Sequence, residues 1–530
     1  MSTNSTTFIT MTSRMRRVFI TGILLIAGSG FGMAFAADQE IPGNKDKFKN
    51  WKAEPGPELL VPPIGPPAVV KDWQRAYPQY QPVGKGDIEE APDAKPGTPN
   101  PRAIHTFGGR TPSSFVFDLS PKDPLEKVIE GESEQRSKIK TQQRQLLEER
   151  YDLSPQFVEG VTMTRGKPVP KGPTARLQQG LTFDQMAQMS PEDIKAKDLF
   201  PYLPLPHPLH STGGMVFPSM MTDIHPERER FDVLHDVPDH FLPEFPPPLF
   251  LTSRPDLGDV SQGQEITNEN FYALLDGILS PVQFDGVRLL VEKIPQQQFN
   301  ATDDRKTLSP SRGVSCFDCH VNGHTNGAIH LNPDTRPQFS RFRIETPTLR
   351  GVNIQNVFGS KRALTSVEDF TEFENRSAYF DHDLATAEKK GRRDLTRTEV
   401  MKMAQFQKLV DFPPAPKLDL FGRLDPQKAS EEELRGEALF FGKAKCVACH
   451  TAPYFTDNLM HDLRVERFYH GRAEGSIKTF PLRGIKDSPP YLHDGRLLTL
   501  EDTVEFFALV TGVQLTQEEK AALSTYLRTL

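Results

Sequence analysis

The stretches Cys316-Phe-Asp-Cys319-His320 and Cys446-Val-Ala-Cys449-His450 contain every cysteine of the chain. Both have the Cys-x-x-Cys-His spacing at which c-type haem is attached covalently. Two thiols three positions apart can add to the two vinyl groups of one porphyrin, and the adjacent imidazole can then bind the iron. Four cysteines and 14 histidines in 530 residues would give on the order of 10⁻³ such matches by chance. The sequence therefore predicts two covalently bound haem c groups, each with its motif histidine as an iron ligand; a zinc site and a redox dithiol are the alternatives.

The composition narrows the class of protein. Charged residues make up 25% and hydrophobic residues 37% of the chain, which excludes a transmembrane bundle and a wholly disordered chain. The 63 basic residues against 70 acidic ones give a net charge of −7, which argues against a nucleic-acid partner. Four cysteines are too few for a disulfide scaffold, and 47 prolines indicate long irregular stretches. The length predicts several domains.

The first 36 residues have the pattern of an export signal. Arg14, Arg16 and Arg17 precede a mostly apolar run over residues 18–33, and Ala34-Phe35-Ala36 supplies small residues at the positions that a signal peptidase reads. The run has 16 residues, fewer than the roughly 20 that span a bilayer. We therefore expect a cleaved signal peptide and a periplasmic bacterial protein, with a retained membrane anchor as the alternative. Export also fits covalent haem, which is attached outside the cytoplasm.

The positions of the two motifs suggest three regions after the signal. Residues 37–262 contain no cysteine and are rich in proline, so we expect a largely irregular region of unassigned role, with helices near 125–150 and 181–197. Residues 263–415 and 416–530 each hold one motif and are expected to form the first and the second haem domain. The histidines of the first region are interpreted as loop residues: His207, His210, His225, His235 and His240.

Helix-capping patterns become regular after residue 263. Thr267 is placed to cap a helix that runs through Leu279. Four hydroxyl side chains stand three positions before an acid, as in a capping box: Ser366 with Asp369, Ser430 with Glu433, Thr499 with Asp502, and Thr516 with Glu519. The last pair begins an amphipathic C-terminal helix. The predicted fold is mainly α, with two cytochrome c-like haem domains in tandem.

An internal repeat follows the two motifs. Residues 347–373 and 481–506 share a Leu-Arg-Gly segment, a Leu-Thr pair, a Glu-Asp pair and a Glu-Phe pair. With one residue inserted in the first copy, His493 aligns with Gly359. Two homologous haem domains explain this repeat best, and only the second would offer a histidine at this position.

These residues resemble the bacterial dihaem cytochrome c peroxidases and their methylamine-utilisation relatives. The resemblance covers residues 265–530 and rests on Gly436 to His450, on Phe455-Thr-Asp-Asn458 with His461, and on Pro490 to Asp502. It implies that the second haem accepts electrons and passes them to the first, where hydrogen peroxide is reduced to water. It also implies a small exported electron donor, such as a monohaem cytochrome c or a copper protein, and a homodimer as one form of assembly.

The second haem departs from the family pattern at its sixth iron ligand. The family's methionine position is Phe507 here, and no methionine follows Met460. The ligand is then His493, His461, His470, Met460 or none. We favour His493, because the Tyr-Leu-His-Asp-Gly segment resembles exported dihaem rubber oxygenases, in which a second histidine binds the second haem. A hydrogen-bonding turn histidine is the alternative.

The distal side of the first haem is marked less clearly. The family's tryptophan between the haems has no counterpart, since no tryptophan follows Trp73, and Phe358 is the nearest aromatic residue of the repeat. Splitting peroxide requires a proton to move between its oxygens, which a carboxylate can carry. Glu372 and Glu374 are the nearest acids, with a position on the helix surface as the alternative for each.

A calcium site is also implied by the resemblance. Glu345 stands where the family has an asparagine that contacts the ion. Its carboxylate with the carbonyl oxygens of Ser488 and Pro490 would form a site of hard oxygen ligands. A surface glutamate is the alternative.

Three functions remain open at this point. A peroxidase that reduces hydrogen peroxide at an open first haem is favoured. A dihaem oxygenase that activates dioxygen on an organic substrate comes second, and a pure electron-transfer cytochrome would need six-coordinate iron at both haems. The Gly359 alignment favours an open first haem, whereas His324 or His330 could close it.

Overall fold

The computed structural model describes most of the chain from residue 125 onward, all within one compact unit of residues 83–530. The described residues are 125–203, 218–226, 237–293, 315–331, 343–361, 363–375, 395–471 and 473–530. The expected export signal, both tryptophans and His207, His210 and His235 lie outside them. None of the described helices combines the length and the apolar character needed to cross a membrane.

Helices predominate among the described elements, as the sequence predicts. The α-helices are α1 Leu125–Arg150, α2 Phe183–Met186, α3 Pro191–Ala196, α4 Ser219–Ile224, α5 Phe271–Leu275, α6 Pro281–Val291, α7 Cys316–Cys319, α8 Val367–Glu374, α9 Arg397–Gln407, α10 Glu431–Phe441, α11 Leu500–Thr511 and α12 Gln517–Leu527. Short antiparallel strand pairs join β1 Phe157–Thr162 to β2 Pro168–Pro170, β3 Ile329–Leu331 to β4 Arg343–Glu345, and β5 Met460–Asp462 to β6 Ser476–Lys478.

The two haem-motif domains contain the same helix crossing. In the first, α6 packs on α9, and a Cβ on Gly286 would lie 2.1 Å from the carbonyl oxygen of Lys402. In the second, α10 packs on α12, and a Cβ on Gly436 would lie 2.1 Å from the carbonyl oxygen of Ala522. Each crossing therefore needs glycine, because any side chain would force the backbones apart. The repeated crossing supports two domains of the same design.

The structure corrects the alignment of the repeat. An antiparallel bridge joins Phe358 to Leu364 and another joins Tyr491 to Leu497, so the two loops have equal length and neither copy carries an insertion. The predicted one-residue insertion is wrong, because it was fitted to residue identities, whereas the loop ends are fixed by these backbone bridges. The residue that corresponds to His493 is consequently Ser360, not Gly359.

The predicted helix starts are largely confirmed. Ser430 and Thr516 make complete capping boxes with Glu433 and Glu519, and the side chains of Ser366 and Thr499 accept a backbone N–H at the starts of α8 and α11. The helix expected from Thr267 to Leu279 is reduced to α5. It ends because Asp276 is extended and Gly277 has a φ of +72°, a conformation that a helix cannot continue through.

The described residues before 262 complete the cores of both domains. Leu147, Tyr151 and Phe200 pack within the core of the second domain, and Leu249 and Val260 within the core of the first. The expected boundary at residue 262 therefore does not separate independent cores. This region supplies part of the apolar burial that stabilises each haem domain.

Polar contacts fix the same region in place. The hydroxyl of Tyr151 donates to the carbonyl oxygen of Arg496 at 2.8 Å, and Thr174 Oγ1 donates to Asp502 at 2.6 Å, both buried. The helix expected at 125–150 is present as α1. The helix expected at 181–197 is instead α2 and α3, because Ser190 caps a new helix that begins with Pro191.

Candidate haem sites

A cavity of about 310 Å³ opens beside the second motif. Cys446, Cys449 and His450 line it together. Most of the remaining wall in the second domain is apolar and includes Phe440, Ile477, Leu482, Val504, Phe507, Leu523 and Leu527. Residues of the first domain close another side, among them Thr325, Glu345, Arg350, Gln355 and Ser360. An apolar cavity with a few polar groups suits a porphyrin, whose ring is apolar and whose rim carries carboxylates.

His450 is held in the orientation that an iron ligand needs. Its Nδ1 lies 2.8 Å from the carbonyl oxygen of Phe455, which can only accept. This contact sets Nδ1 as the protonated nitrogen and leaves Nε2 as the lone-pair donor. Burial lowers the pKa of His450, which favours the neutral imidazole that binds metal.

Two further histidines line the cavity. His493 Nε2 lies 2.9 Å from Glu474 Oε2, within ion-pair distance, but neither ring nitrogen makes a hydrogen bond among the described residues. His461 Nε2 lies 2.6 Å from Asp457 Oδ2. A carboxylate on one ring nitrogen is the usual support for a ligating histidine. Of the other ligands considered, His470 is exposed and Met460 lies in β5, and neither lines the cavity.

The carboxylate beside His493 belongs to a buried charge cluster. Arg496 is within ion-pair distance of both Glu474 and Asp494, and the Tyr469 hydroxyl donates to Glu474. The adjacent charges hold the pKa of the Glu474 carboxyl well below its usual range, despite its burial. Two carboxylates against one guanidinium leave a net negative charge next to the cavity. Such a charge favours ferric over ferrous iron in a neighbouring haem.

The first motif is equally ordered. Ser315 and Asp318 form a capping box at the start of α7, and Phe317 packs against Phe406 of α9. Burial lowers the pKa of His320 to about 4, against the opposing effect of the Pro347 carbonyl. A buried, neutral imidazole directly after the motif cysteines fits a role as an iron ligand.

The structure does not bring the cysteines of the two motifs into a common metal site. All four are free of disulfides. In the described part of the chain, the groups with metal-ligand spacing are Cys449 with Asp457 and His461, and Glu474 with His493 and Asp494. Each motif therefore faces its own domain, as two haems require and a shared zinc ion does not.

His324 is not placed to close the first haem. Its Nε2 donates to the carbonyl oxygen of Asp487 at 3.0 Å, and Nδ1 lies 2.8 Å from Thr348 Oγ1. With both nitrogens engaged, its imidazole acts as a bridge between the two domains. His330 lies in β3, and its side chain is outside the described part of the structure.

The two candidate acids on α8 correspond to different positions of the second domain. In the corrected alignment, Glu374 corresponds to Phe507, which lines the cavity beside the second motif. Glu372 corresponds to Glu505. Glu372 Oε2 accepts from Arg397 at 2.6 Å at the protein surface. Glu372 thus pairs with the first residue of α9, and its assignment as a catalytic acid stays a prediction. Glu374 thus stands at the repeat position whose counterpart in the second domain lines the cavity.

The three residues suggested for calcium share one cavity. Glu345, Ser488 and Pro490 all line it. Glu345 is only 8% exposed, and its Oε1 accepts from Thr325 Oγ1 at 2.5 Å. Burial raises its pKa well above the usual range, so the carboxyl either keeps a proton or requires a cation. The alternative of a surface glutamate does not hold.

Sequence reasoning missed several residues of this site. Glu474 and Lys478 line or support the cavity, yet each stands in a segment with no motif of its own. Thr325, which donates to Glu345, follows the first motif by only five positions. No sequence pattern around Glu474 or Lys478 marks either residue.

The chain is similar in sequence to a methylamine utilization protein and to a cytochrome-c peroxidase. It is 33% identical over 116 residues to the methylamine utilization protein MauG of Methylorubrum extorquens. The aligned residues make up 20% of this chain and 33% of that protein. It is 24% identical over 288 residues to the cytochrome-c peroxidase IdrP2 of Denitromonas iodatirespirans, which covers 42% of this chain and 77% of that protein. The chain spans about a third of the length of MauG. No protein-family model matches it.

Solved structures with some likeness are also found. One is a MauG-like protein associated with microbial copper homeostasis, 20% identical with a TM-score of 0.35, covering 48% of this chain and 90% of that one. Another is the diheme peroxidase BthA of Burkholderia thailandensis, 15% identical with a TM-score of 0.33, covering 55% of this chain and 94% of that one.

Proposed function

Because the chain belongs to the family of dihaem cytochrome c peroxidases, we propose that it is a peroxidase that reduces hydrogen peroxide at its first haem. The reaction is H₂O₂ + 2 e⁻ + 2 H⁺ → 2 H₂O. The O–O bond breaks, each oxygen ends as water, and the two electrons come from a reduced partner protein. Haem would be attached through Cys316 and Cys319 in the first domain and through Cys446 and Cys449 in the second.

The proposal depends on one contrast between the two domains. At equivalent positions the second domain has His493 and the first has Ser360, and a serine hydroxyl is not among the common haem ligands. His324, the described histidine closest after the first motif, has both ring nitrogens occupied. The first haem, held by His320, is thus the one with a face open to a small oxidant.

Glu374 is the residue that we assign to proton transfer. When bound, haem iron would supply the site for peroxide and for electron exchange. The carboxyl of Glu374 would take a proton from one peroxide oxygen and return it to the other, so that the leaving oxygen departs as water.

The second domain would serve as the entry point for electrons. We assign His493 as the sixth ligand of its iron, because it is buried at the cavity wall and makes no hydrogen bond through either ring nitrogen among the described residues. The motif histidine His450 lines the same cavity. His461 is the second candidate, since it also lines the cavity and its ring contacts Asp457.

A calcium ion would bind between the domains at Glu345, with the carbonyl oxygens of Ser488 and Pro490. The supporting observation is the buried carboxyl of Glu345, which has no cationic partner within ion-pair distance among the described residues. A divalent cation would allow it to ionise. Its backbone N–H also donates to the carbonyl oxygen of His493 at 2.9 Å, so the ion would stabilise the loop that carries that histidine.

The cellular setting follows from the same proposal. The pattern of the first 36 residues supports export to the periplasm, where covalent haem attachment takes place. The electron donor would be a small exported cytochrome c or copper protein, and a homodimer is the assembly to test first.

A dihaem oxygenase is the second candidate function. The observation that favours it is Phe507 at the cavity wall, where the peroxidases have a methionine, together with the Tyr491-Leu-His-Asp-Gly495 loop. Such an enzyme would consume dioxygen with an organic substrate and need no protein electron donor.

Steady-state turnover distinguishes these functions. The purified full-length protein is mixed with a reduced small cytochrome c and hydrogen peroxide, and donor oxidation is followed optically. We expect two donor molecules to be oxidised for each peroxide consumed, and no consumption of dioxygen. Dioxygen uptake without peroxide turnover would replace the peroxidase with an oxygenase. No turnover of either oxidant would leave an electron carrier.

A further inference from the structure

Lys478 is a buried lysine at the junction of the two domains. It ends strand β6 and is only 6% exposed. Its backbone N–H donates to the carbonyl oxygen of Ser360 at 3.1 Å. This hydrogen bond joins the second domain to the loop of the first domain that follows Phe358. Lys478 is not among the site residues predicted from the sequence.

The ammonium group is held by neutral partners. Nζ lies 5.4 Å from the ring centre of Phe358 and 4.7 Å from that of Phe480, and it donates to Gln355 Oε1. Two aromatic faces stabilise a cation, but only weakly compared with an anionic partner. Within the described part of the chain, no carboxylate lies within ion-pair distance of Nζ, and burial lowers the pKa of Lys478 to about 7. A buried ammonium without an anion is unfavourable.

An anionic group that pairs with the Lys478 ammonium would have to lie in the cavity. Lys478, Gln355 and Phe480 all line the cavity that Cys446 and Cys449 also line. Arg350, another buried cation on this wall, already lies 3.7 Å from Asp487 Oδ2. Lys445 also lines the cavity, but it is exposed. Of the two buried cations on this wall, Lys478 is thus the one without an anionic partner among the described residues.

We infer that Lys478, with Gln355, binds a carboxylate on the rim of the second porphyrin. This rests on the proposed binding of haem at Cys446 and Cys449, and it names a recognition site that the attachment motif does not contain. Porphyrin carries two propionates, and each needs a cation or a hydrogen-bond donor when buried. The two aromatic rings direct the ammonium, and Gln355 fixes its position, so the porphyrin is oriented by contacts besides its two thioether bonds.

The test compares Lys478→Met with Lys478→Gln, Lys478→Arg and the control Lys443→Met in the full-length haem protein. Lys443 lies three residues before the second motif, but it is half-exposed and pairs with Glu519. The readouts are haem content, the propionate bending bands in resonance Raman spectra, and the midpoint potential of each haem.

We expect two haems per chain in every variant. In Lys478→Met the propionate band of the second haem shifts, and its ferrous-to-ferric ratio at a fixed potential falls about tenfold, which is about 59 mV for one electron. The ratio falls because an uncompensated carboxylate favours ferric iron. Lys478→Gln gives the same loss, Lys478→Arg restores the band, and Lys443→Met changes neither quantity.

Two outcomes would overturn the inference. If the potential of the second haem fell but its propionate bands did not change, Lys478 would be a buried charge that does not contact the porphyrin. If the bands of the first haem shifted and those of the second did not, the carboxylate bound by Lys478 would belong to the first haem. If Lys478→Met lost haem by misfolding, Lys478→Gln would still decide the question. Peroxide turnover by the wild-type protein is scored separately, so a protein without that activity can still show the Lys478-dependent band.

Discussion

Replacing Glu374 with glutamine isolates the proposed proton carrier. The substitution keeps the size and polarity of the side chain but removes a carboxyl that can take up and release a proton. Glu374 ends helix α8 at the position where the second domain has Phe507, a residue of its cavity wall. Two positions earlier, Glu372 lies on the outer face of the same helix.

The expected loss follows from the role. General acid–base catalysis contributes about 10²–10⁴-fold, or roughly 3–5 kcal/mol of the activation barrier. Glu372→Gln is the matched control, because it makes the same chemical change on the same helix. It weakens an ion pair with Arg397 in which the two side chains are 53% and 29% exposed. Exposed pairs of this kind contribute about 0.2–1 kcal/mol to stability, so we expect peroxide turnover in this variant within about twofold of wild type.

The assay is kcat/KM for peroxide with a reduced cytochrome c, measured for both variants after haem content is shown to be two. Turnover in Glu374→Gln should fall by at least 10²-fold while the resting absorption spectrum is retained. Equal turnover in the two variants would refute the assignment. A large loss in Glu372→Gln alone would show that the alignment of the repeats points to the wrong face of α8.

Other predictions concern attachment, ligation and pH. Cys316→Ala and Cys449→Ala should each lower the haem count by pyridine haemochrome from two per chain to about one; a wild-type count of one or none contradicts the dihaem assignment. His493→Gly should make the second haem five-coordinate and raise its potential, since imidazole stabilises ferric iron; an unchanged low-spin bis-histidine signal in magnetic circular dichroism would move the ligand to His461. Burial raises the pKa of Asp502 to about 6. Because the folded protein then binds more protons than the unfolded chain, the free energy of unfolding should fall as the pH rises from about 4 to 6, by up to about 3 kcal/mol. Asp502→Asn should remove this decrease, and a curve identical to wild type would show that the carboxyl is not buried in solution.

Features set by neighbouring residues were predictable from the sequence. The spacing within each Cys-x-x-Cys-His motif fixes its chemistry, and the hydroxyl of Ser430 or Thr516 fixes a helix start within three positions. The repeat was also visible, but its alignment was not. Chance identities suggested an insertion, whereas the backbone bridges at Phe358 and Tyr491 show loops of equal length.

Features that depend on distant residues were not predictable. The hydroxyl of Tyr151 meets the carbonyl of Arg496 across 345 positions, so the proline-rich region could not be seen as part of the haem domains. Glu372 and Glu374 differ only in which face of α8 they occupy, and that requires the position of α9. Lys478 becomes noticeable only when Phe358, from the other domain, lies against it.

The central claim is that the first haem reacts with peroxide, and rapid mixing without dioxygen tests it most directly. The full-length protein is mixed with one equivalent of hydrogen peroxide, and the absorption spectrum is followed beside that of a variant in which Cys316 and Cys319 are alanine. We predict a rapid change in the wild-type haem spectrum that is absent from the variant, whose second haem remains unchanged. A wild-type spectrum that does not respond, or a response that persists without the first attachment motif, would contradict the assignment of the reactive site.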